Sequence, residues 1–174
     1  MGERVLVTCA SKYGATEEIA RKIAGVLRSE GLETDLKPAG EVDELSSYKA
    51  AVIGSAVYMG RWLKDAVRLV LNNQDELSGI DVWLFSSGPT EEGDPEKFTG
   101  GWVIPGKIRK AAERISVREI RLLHGAIDPD RLNFLERWII KRVKAPVGDY
   151  RDWNAIESWA VEIADQIRKV QSDQ

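Results

Sequence analysis

The sequence predicts an α/β domain in which helices cover both faces of a parallel β-sheet. Short apolar runs alternate along the chain with segments whose apolar residues follow helical spacing, and this alternation is typical of strand–helix–strand units. The run AAVI at residues 50–53 is apolar on successive residues, as expected of a strand buried on both faces. Because 174 residues suit one domain, we expect a single domain over residues 1–174.

Periodicity and turn residues delimit the elements predicted for the first half of the chain. Ile19, Ile23 and Leu27 follow helical spacing, and Gly31 ends this helix as a C-cap. Pro38 stops the strand that follows. In chain order we predict a strand at 5–7, a helix after the segment TCASKYGAT at 8–16, strands at 34–37 and 50–55, and a helix at 62–71.

The second half continues the alternation and ends in a long amphipathic helix. Pro105 suits the first turn of a helix, and Asp152 suits an N-cap. In chain order we predict a strand at 81–86, an acidic and turn-rich loop at 87–101, a helix at 104–115, a strand at 117–123 and a final helix at 153–167. Five strands favour a sheet of order 2-1-3-4-5 over the six-stranded dinucleotide order, with ligands beyond the carboxyl ends of strands one and three.

The segment at 125–151, between the last strand and the last helix, is longer than an ordinary strand-to-helix loop. We therefore predict an insert that contains an amphipathic helix at 130–144. The residues expected to share its apolar face are Leu132, Leu135, Ile139 and Val143. Five basic residues against two acidic ones make this helix cationic. Such a helix lies on an anionic membrane, docks on a partner or a second copy of the chain, or covers the sheet edge, and the sequence leaves these alternatives open.

Composition and charge narrow the class of protein. A net charge of −3 gives no support for nucleic-acid binding, which needs a basic surface. Cys9 and His124 are the single residues of their types, so we expect no internal disulfide and no metal site. We expect Cys9 to be a small buried residue, with a redox role as the alternative. We expect His124 to be structural, with an acid–base role as the alternative.

The apolar runs are too short for a membrane anchor. No apolar stretch approaches the ~20 residues that span a bilayer, and the run near the N-terminus is too short for a signal peptide. We therefore expect a cytoplasmic protein. The helix at 130–144 is the candidate for peripheral contact with the inner face of the membrane.

The segment TCASKYGAT at 8–16 joins the first strand to the first helix and carries the polar groups of an anion site. A turn at a helix N-terminus presents free backbone N–H groups and the positive end of the helix dipole. Ser11 and Thr16 add hydroxyl donors, Gly14 permits close approach of a ligand, and Lys12 adds a positive charge. This combination indicates a site for a phosphate monoester, with an ordinary hydroxyl-capped turn as the alternative.

Two nucleotide motifs are not met. No G-x-G-x-x-G fingerprint follows the first strand, which argues against a dinucleotide. Residues 101–107 fit G-x-x-x-x-G-K, but Ile108 stands where a P-loop needs Ser or Thr to hold Mg²⁺. We therefore do not expect ATP to bind there.

Three loops resemble those of a known family. TCASKYGATEEIA is similar to the phosphate loop of flavodoxins, T-x-[ST]-x-T-G-x-T, with Ser11, Gly14 and Thr16 at its recognised positions. GSAVYMGRW and FSSGPTEEGD resemble the two loops that flank the isoalloxazine ring in that family. The resemblance covers essentially the whole chain. It is closest to the menaquinone-dependent protoporphyrinogen dehydrogenases, which carry a long insert before the final helix and a helix opening similar to GDYRDWNAIESWAVEIA.

The resemblance implies a flavodoxin-like three-layer sandwich that binds FMN and acts as an FMN-dependent oxidoreductase, passing electrons from a substrate to a quinone or a redox partner. It assigns no catalytic residue. A flavodoxin-type electron carrier without its own substrate and a flavin-free interaction domain are the alternatives. The residues it places at the cofactor are Ser11, Lys12, Tyr13, Gly14, Ala15, Thr16, Ala56, Val57, Tyr58, Met59, Gly60, Ser87, Gly88 and Pro89.

Aromatic residues are expected on one side of the ring only. Tyr58 and Trp62 are candidates to stack there, with simple packing as the alternative for each. The second ring loop, SSGPT at 86–90, has no aromatic residue. The resemblance therefore implies an open flavin face, unless Trp102 covers it.

Overall fold

A parallel sheet of five main strands forms the middle layer of the molecule. The computed structural model describes residues 4–172, and its strands are β1 (Arg4–Ala10), β2 (Thr34–Pro38), β3 (Tyr48–Tyr58), β4 (Arg61–Trp62), β5 (Asp81–Ser87), β6 (Glu119–Leu123), β7 (Ala126–Ile127) and β8 (Gly148–Asp149). The main strands have the order β2-β1-β3-β5-β6 and are all parallel. Without the two-residue β4, this is the predicted order 2-1-3-4-5, which is confirmed.

Helices cover both faces of this sheet. They are α1 (Ala15–Ser29), α2 (Lys64–Asn72), α3 (Gln74–Leu77), α4 (Pro95–Phe98), α5 (Gly106–Ile115), α6 (Phe134–Val143) and α7 (Trp153–Ser172). Alternate side chains of β1 enter opposite layers, so that Val5 and Val7 pack with α1 and α7, whereas Leu6 packs with α2 and α5. Successive strand residues are buried because each face meets its own apolar layer. The predicted three-layer sandwich is confirmed.

The predicted helix at 62–71 begins later than expected. The strand β3 runs on to Tyr58 and turns back through Met59 and Gly60, whose φ angles are 51° and 71°. Positive φ at both central residues is the signature of a two-residue hairpin, and it pairs Val57 with Trp62 in β4. The assignment of Trp62 to a helix was therefore wrong. Trp62 stands four residues before Ala66 and so matches helical spacing although it lies in the preceding strand.

The cap predictions agree with the structure at both ends of the chain. Gly31, with φ of 83°, follows α1, and the Leu32 amide donates to the Leu27 carbonyl at 3.0 Å, as in a glycine-terminated helix. The side chain of Asp152 accepts from the Ala155 amide at 2.9 Å, which caps α7.

The insert at 125–151 contains the antiparallel pair β7–β8 and the helix α6. The helix is shorter than the predicted 130–144 because Asn133 forms a capping box with Glu136, which fixes the start of a helix. At its other end, Lys144 adopts φ of 52° and ends the helical hydrogen bonding. The residues before Asn133 form a short 3₁₀ turn, Pro129–Arg131.

Some predictions extend past the described residues. The single domain expected over 1–174 includes residues 1–3 and 173–174, which lie outside them. Within residues 4–172, no helix combines the length and the apolar character needed to cross a bilayer.

Candidate functional site

A cleft of about 360 Å³ lies between the carboxyl ends of β1, β3 and β5 and the helix α6. The residues that line it are Ser11, Tyr13, Ala15, Thr16, Ala56, Val57, Tyr58, Met59, Ser87, Gly88, Gly125, Ala126, Ile127, Asp128, Leu132, Ile139, Ile140 and Val143. Most of these residues are apolar, with a few hydroxyl groups among them. A concave, mainly apolar space with a few polar groups is the usual form of a cofactor pocket.

The loop after β1 presents polar groups at one end of this cleft. Gly14 adopts φ of 91° and directs the chain into α1, and no side chain caps the first turn of that helix. The Gly14 amide donates to Ser11 Oγ at 3.1 Å, which leaves the hydroxyl hydrogen of Ser11 available for a ligand. Free amides, a hydroxyl donor and the helix dipole together form a donor set that fits a phosphate group.

Lys12 projects toward α6 and is not among the residues that line the cleft. Its Nζ atom donates to Glu136 Oε1 at 2.5 Å. The hydrogen bond from Lys12 lowers the pKa of Glu136 to about 2, helped by Tyr13 and by the Asn133 amide. The same bond raises the pKa of Lys12 above its usual value. Both groups are therefore charged, and they tie the loop to the first turn of α6.

Two arginines of the insert also hold this loop. Arg131 donates from Nη1 to the Tyr13 carbonyl at 2.9 Å. Arg151, whose side chain is only 8% exposed, donates to the Ala15 carbonyl at 3.1 Å and pairs with Glu18 at 2.6 Å. Sequence reasoning missed both contacts. The cationic composition of the insert was the only signal in the sequence, and composition does not reveal which distant groups will pair.

Two tyrosines meet where the loop after β1 approaches the loop after β3. The rings of Tyr13 and Tyr58 lie edge to face, with centroids 6.3 Å apart, a favourable arrangement for aromatic pairs. Burial, followed by the proximity of Tyr13, raises the pKa of Tyr58 to about 12. Tyr58 therefore stays neutral and offers an aromatic surface to the cleft.

The tryptophans considered for ring stacking lie elsewhere. Trp62 is buried and donates from Nε1 to Ser86 Oγ at 2.8 Å, so it packs in the core. Trp102 is not among the lining residues either. Aliphatic residues of the insert line the cleft instead. They are Ile127, Leu132, Ile139, Ile140 and Val143.

The structure brings most of the predicted cofactor residues together. Those that line the cleft are Ser11, Tyr13, Ala15, Thr16, Ala56, Val57, Tyr58, Met59, Ser87 and Gly88. Lys12, Gly14, Gly60 and Pro89 belong to the same loops but do not line it. Contact of all fourteen residues with FMN remains a prediction. Sequence reasoning missed the contribution of the insert, including residues 125–128.

Cys9 and His124 have structural surroundings. Burial, with a smaller effect of Glu17, raises the pKa of the Cys9 thiol to about 12, so Cys9 is a protonated core residue. The two ring nitrogens of His124 lie 3.2 Å from the Pro89 carbonyl and 2.6 Å from the Gly93 carbonyl. His124 therefore holds the loop after β5. Within residues 4–172, no group of three or more His, Cys, Asp or Glu side chains is arranged to hold a metal ion.

An open parallel sheet with a cleft at the switch point between β1 and β3 defines the doubly wound class of ligand-binding α/β domains. A family model described as the flavodoxin domain matches residues 6–154. The chain belongs to this flavodoxin domain family. No curated protein matches the chain significantly.

Solved structures share the fold at low sequence identity. A cysteine-to-serine mutant of a flavodoxin from Pseudomonas aeruginosa is 21% identical with a TM-score of 0.57, over 93% of this chain and 97% of that one. A flavodoxin from the domain Archaea is 15% identical with a TM-score of 0.61, over 95% and 99%. The rubredoxin oxygen:oxidoreductase of Desulfovibrio gigas is 14% identical with a TM-score of 0.66. The match covers 96% of this chain but only 36% of the oxidoreductase.

Proposed function

We propose that this protein is an FMN-binding oxidoreductase that passes electrons from a substrate to a quinone or a redox protein. The observation that carries the proposal is the cleft that joins the loop after β1 to the loops after β3 and β5. One end offers donors for a phosphate, and the other end offers apolar and aromatic surface for a flat ring. Membership of the flavodoxin domain family supports the same cofactor.

The residues of the chain bind and orient the cofactor in this proposal. Ser11, Thr16 and the free amides at the start of α1 hold the phosphate, and Tyr58 contacts the ring. When bound, FMN supplies one- and two-electron transfer chemistry. No side chain is assigned as a catalytic acid or base.

Binding of FMN compared with riboflavin tests the phosphate site. We expect the absorbance spectrum of FMN to change when it binds. We expect Ser11→Ala to weaken FMN binding about tenfold or more, because a hydrogen bond to a charged group contributes about 1.5–3 kcal/mol. Riboflavin lacks the phosphate, so Ser11→Ala should leave the affinity for riboflavin unchanged. Ser46→Ala, on the exposed surface, is the matched control. A wild-type protein that binds neither flavin refutes both redox functions and favours an interaction domain.

The proposed activity is of the protoporphyrinogen dehydrogenase type, with a quinone as acceptor. It is supported by the resemblance of the insert and of the opening of the last helix to those enzymes. Anaerobic oxidation of protoporphyrinogen coupled to reduction of a quinone tests it. Flavin-loaded protein that exchanges electrons with a redox protein but oxidises no substrate is instead a carrier.

The outer face of α6 is the surface through which we propose peripheral contact with the inner face of the membrane. We define this face as Phe134, Leu135 and Trp138, whose exposed fractions are 88%, 62% and 52%. The guanidinium of Arg142 lies 5.2 Å from the centre of the Trp138 ring, and Lys141 is exposed beside it. Apolar side chains next to exposed cations suit a surface of anionic lipids.

Co-sedimentation with vesicles of anionic lipid tests this contact. We expect reversal of Lys141, Arg142 and Lys144 to Glu to abolish binding, because the electrostatic attraction changes sign. A matched reversal of Lys107, Arg109 and Lys110, which are exposed on α5, should leave binding unchanged. Equal binding by the wild type and the α6 variant refutes membrane contact. A concentration-dependent dimer that the outer face of α6 mediates assigns this surface to a homodimer instead.

A further inference from the structure

We propose that α6 forms one wall of the flavin-ring site and that Lys12 positions this wall through Glu136. The wall is the inner face of α6, which we define as Ile139, Ile140 and Val143. The inference rests on the proposed function, since it concerns the same cofactor. It adds binding residues that lie outside the three loops shared with flavodoxins.

Helical geometry places the inner face and Glu136 on one side of α6. Positions 136, 139, 140 and 143 are spaced as i, i+3, i+4 and i+7, which is one stripe of a helix. Ile139, Ile140 and Val143 line the cleft, and Glu136 meets Lys12. Phe134, Leu135 and Trp138 do not line the cleft. Ile139 and Val143 line it while remaining 44% and 64% exposed, so the inner face lies at the open rim of the cleft.

The loops after the strands leave one side of the proposed ring site without a large side chain, and the inner face of α6 can cover that side. The loop after β5 contributes Ser87 and Gly88 to the cleft, and neither has a side chain large enough to cover a flavin ring. Trp62 is buried in the core and is not available. The branched side chains of Ile139 and Ile140 are in the same cleft and offer a flat ring the nonpolar contact that it needs.

The position of this wall is fixed by contacts with the phosphate loop. Glu136 Oε1 accepts from Lys12 at 2.5 Å, while its Oε2 accepts from the Asn133 amide at 3.0 Å. One carboxylate thus both caps α6 and binds the loop that clasps the phosphate. Arg131 adds a second tie through the Tyr13 carbonyl. Contacts between the loop after β1 and the insert therefore connect the proposed phosphate end of the site with the proposed ring end.

Flavin affinities of inner-face and outer-face variants test the wall. We expect Ile140→Ser to weaken FMN and riboflavin equally, by about five- to tenfold, because the apolar contact with the ring is lost and the phosphate contacts remain. Leu135→Ser on the outer face is the matched control and should leave both affinities unchanged. Circular dichroism checks that both variants keep their helical content.

The outcomes of this test separate the wall from the cofactor itself. Wild-type affinity in Ile140→Ser refutes the wall while the proposed function stands. Loss of FMN affinity without loss of riboflavin affinity refutes it as well, because the effect then lies at the phosphate. A wild-type protein that binds neither flavin overturns the proposed function and the wall together.

The role of Lys12 is tested by quenching of bound-flavin fluorescence with iodide. Glu136→Gln keeps a side chain that can complete the capping box but removes the charge that Lys12 pairs with. We expect this variant and Lys12→Met to expose the ring, with several-fold faster quenching and faster release of FMN. Lys12→Arg should restore the wild-type behaviour, because it keeps the ion pair. Unchanged quenching and release in both charge-removing variants refutes the positioning role.

Discussion

Gly54 determines how closely β3 can approach the aromatic ring of Phe85 in the core. A Cβ atom at Gly54 would lie 2.1 Å from Phe85 Cζ, well inside contact distance. The ring of Phe85 is fully buried, and its centroid lies 6.0 Å from that of the Trp159 ring in an edge-to-face pair. The Phe85 ring therefore has little room to move. The absence of a side chain at this position is therefore a packing requirement.

Gly54→Ala is expected to destabilise the protein by about 1–3 kcal/mol, since overpacking of a close-packed core forces the backbone or the ring to shift. Urea unfolding followed by circular dichroism measures the loss. Gly25→Ala is the matched control, because no atom lies within 4 Å of its added Cβ. That change in α1 should stabilise by about 0.5–1 kcal/mol. Equal stability of the two variants contradicts the packing role of Gly54.

At the scale of the element, the hairpin between β3 and β4 requires positive φ angles at its two central residues, Met59 and Gly60. Gly60 has φ of 71°, and no atom lies within 4 Å of a Cβ built there. We expect Gly60→Ala to cost about 1 kcal/mol in unfolding free energy, because residues with a Cβ disfavour positive φ. Gly106→Ala is the matched control. No atom lies within 4 Å of a Cβ built at Gly106, and its φ angle is not positive, so we expect no such loss in the same urea titration.

The pKa of Glu136, in the first turn of α6, reports on the ion pair between this residue and Lys12. The pKa of this carboxyl is lowered from 4.5 to about 2, so the stabilising ion pair is complete above pH 4.5 and is lost as the pH falls toward about 2. We expect carbon NMR of labelled glutamate to show a midpoint near this low value. Lys12→Met should return the midpoint toward the usual range, and Glu136→Gln identifies the signal. A midpoint that Lys12→Met leaves unchanged contradicts the ion pair.

At the scale of the whole molecule, cofactor binding is linked to unfolding. A ligand that binds the native state at 100 times its Kd stabilises by about 2.7 kcal/mol, which raises Tm by about 5–10 °C for a chain of this size. We expect FMN to produce a shift of this order in a fluorescence-monitored melt, growing with FMN concentration. Inorganic phosphate should give a much smaller shift, because it leaves the apolar end of the cleft empty. A Tm independent of FMN concentration contradicts the proposed cofactor.

The sequence predicts the sheet well because apolar periodicity is a local pattern that locates the main strands and helices. The phosphate contact of the loop at 8–16 stays a prediction, made from residues that are neighbours in the chain. The helix assignment of Trp62 failed because the hairpin depends on two unusual φ angles, which an apolar run does not reveal. Of the residues predicted to share the apolar face of the insert helix, Leu132, Ile139 and Val143 line the cleft and Leu135 does not, which helical spacing alone does not reveal.

The contacts between the insert and the phosphate loop could not be predicted for a different reason. Lys12 and Glu136 are charged residues of ordinary type in the sequence, and nothing local marks them as a pair. Their meeting depends on where β6 leaves the sheet and how β7–β8 redirects the chain. Such geometry is a property of the complete fold, which no single segment encodes.

The hydrogen bonds from Arg131 and Arg151 to the loop after β1 also bear on the order in which the parts of the molecule form during folding. Arg131 and Tyr13 are 118 positions apart, and Arg151 and Ala15 are 136 apart. During synthesis the loop emerges more than 100 residues before the arginines that brace it. Contacts of such long sequence separation form late because chain closure must come first. The pocket therefore cannot be completed before Arg131 and Arg151 have been synthesised, and a chain that lacks them has no braced loop to receive a cofactor.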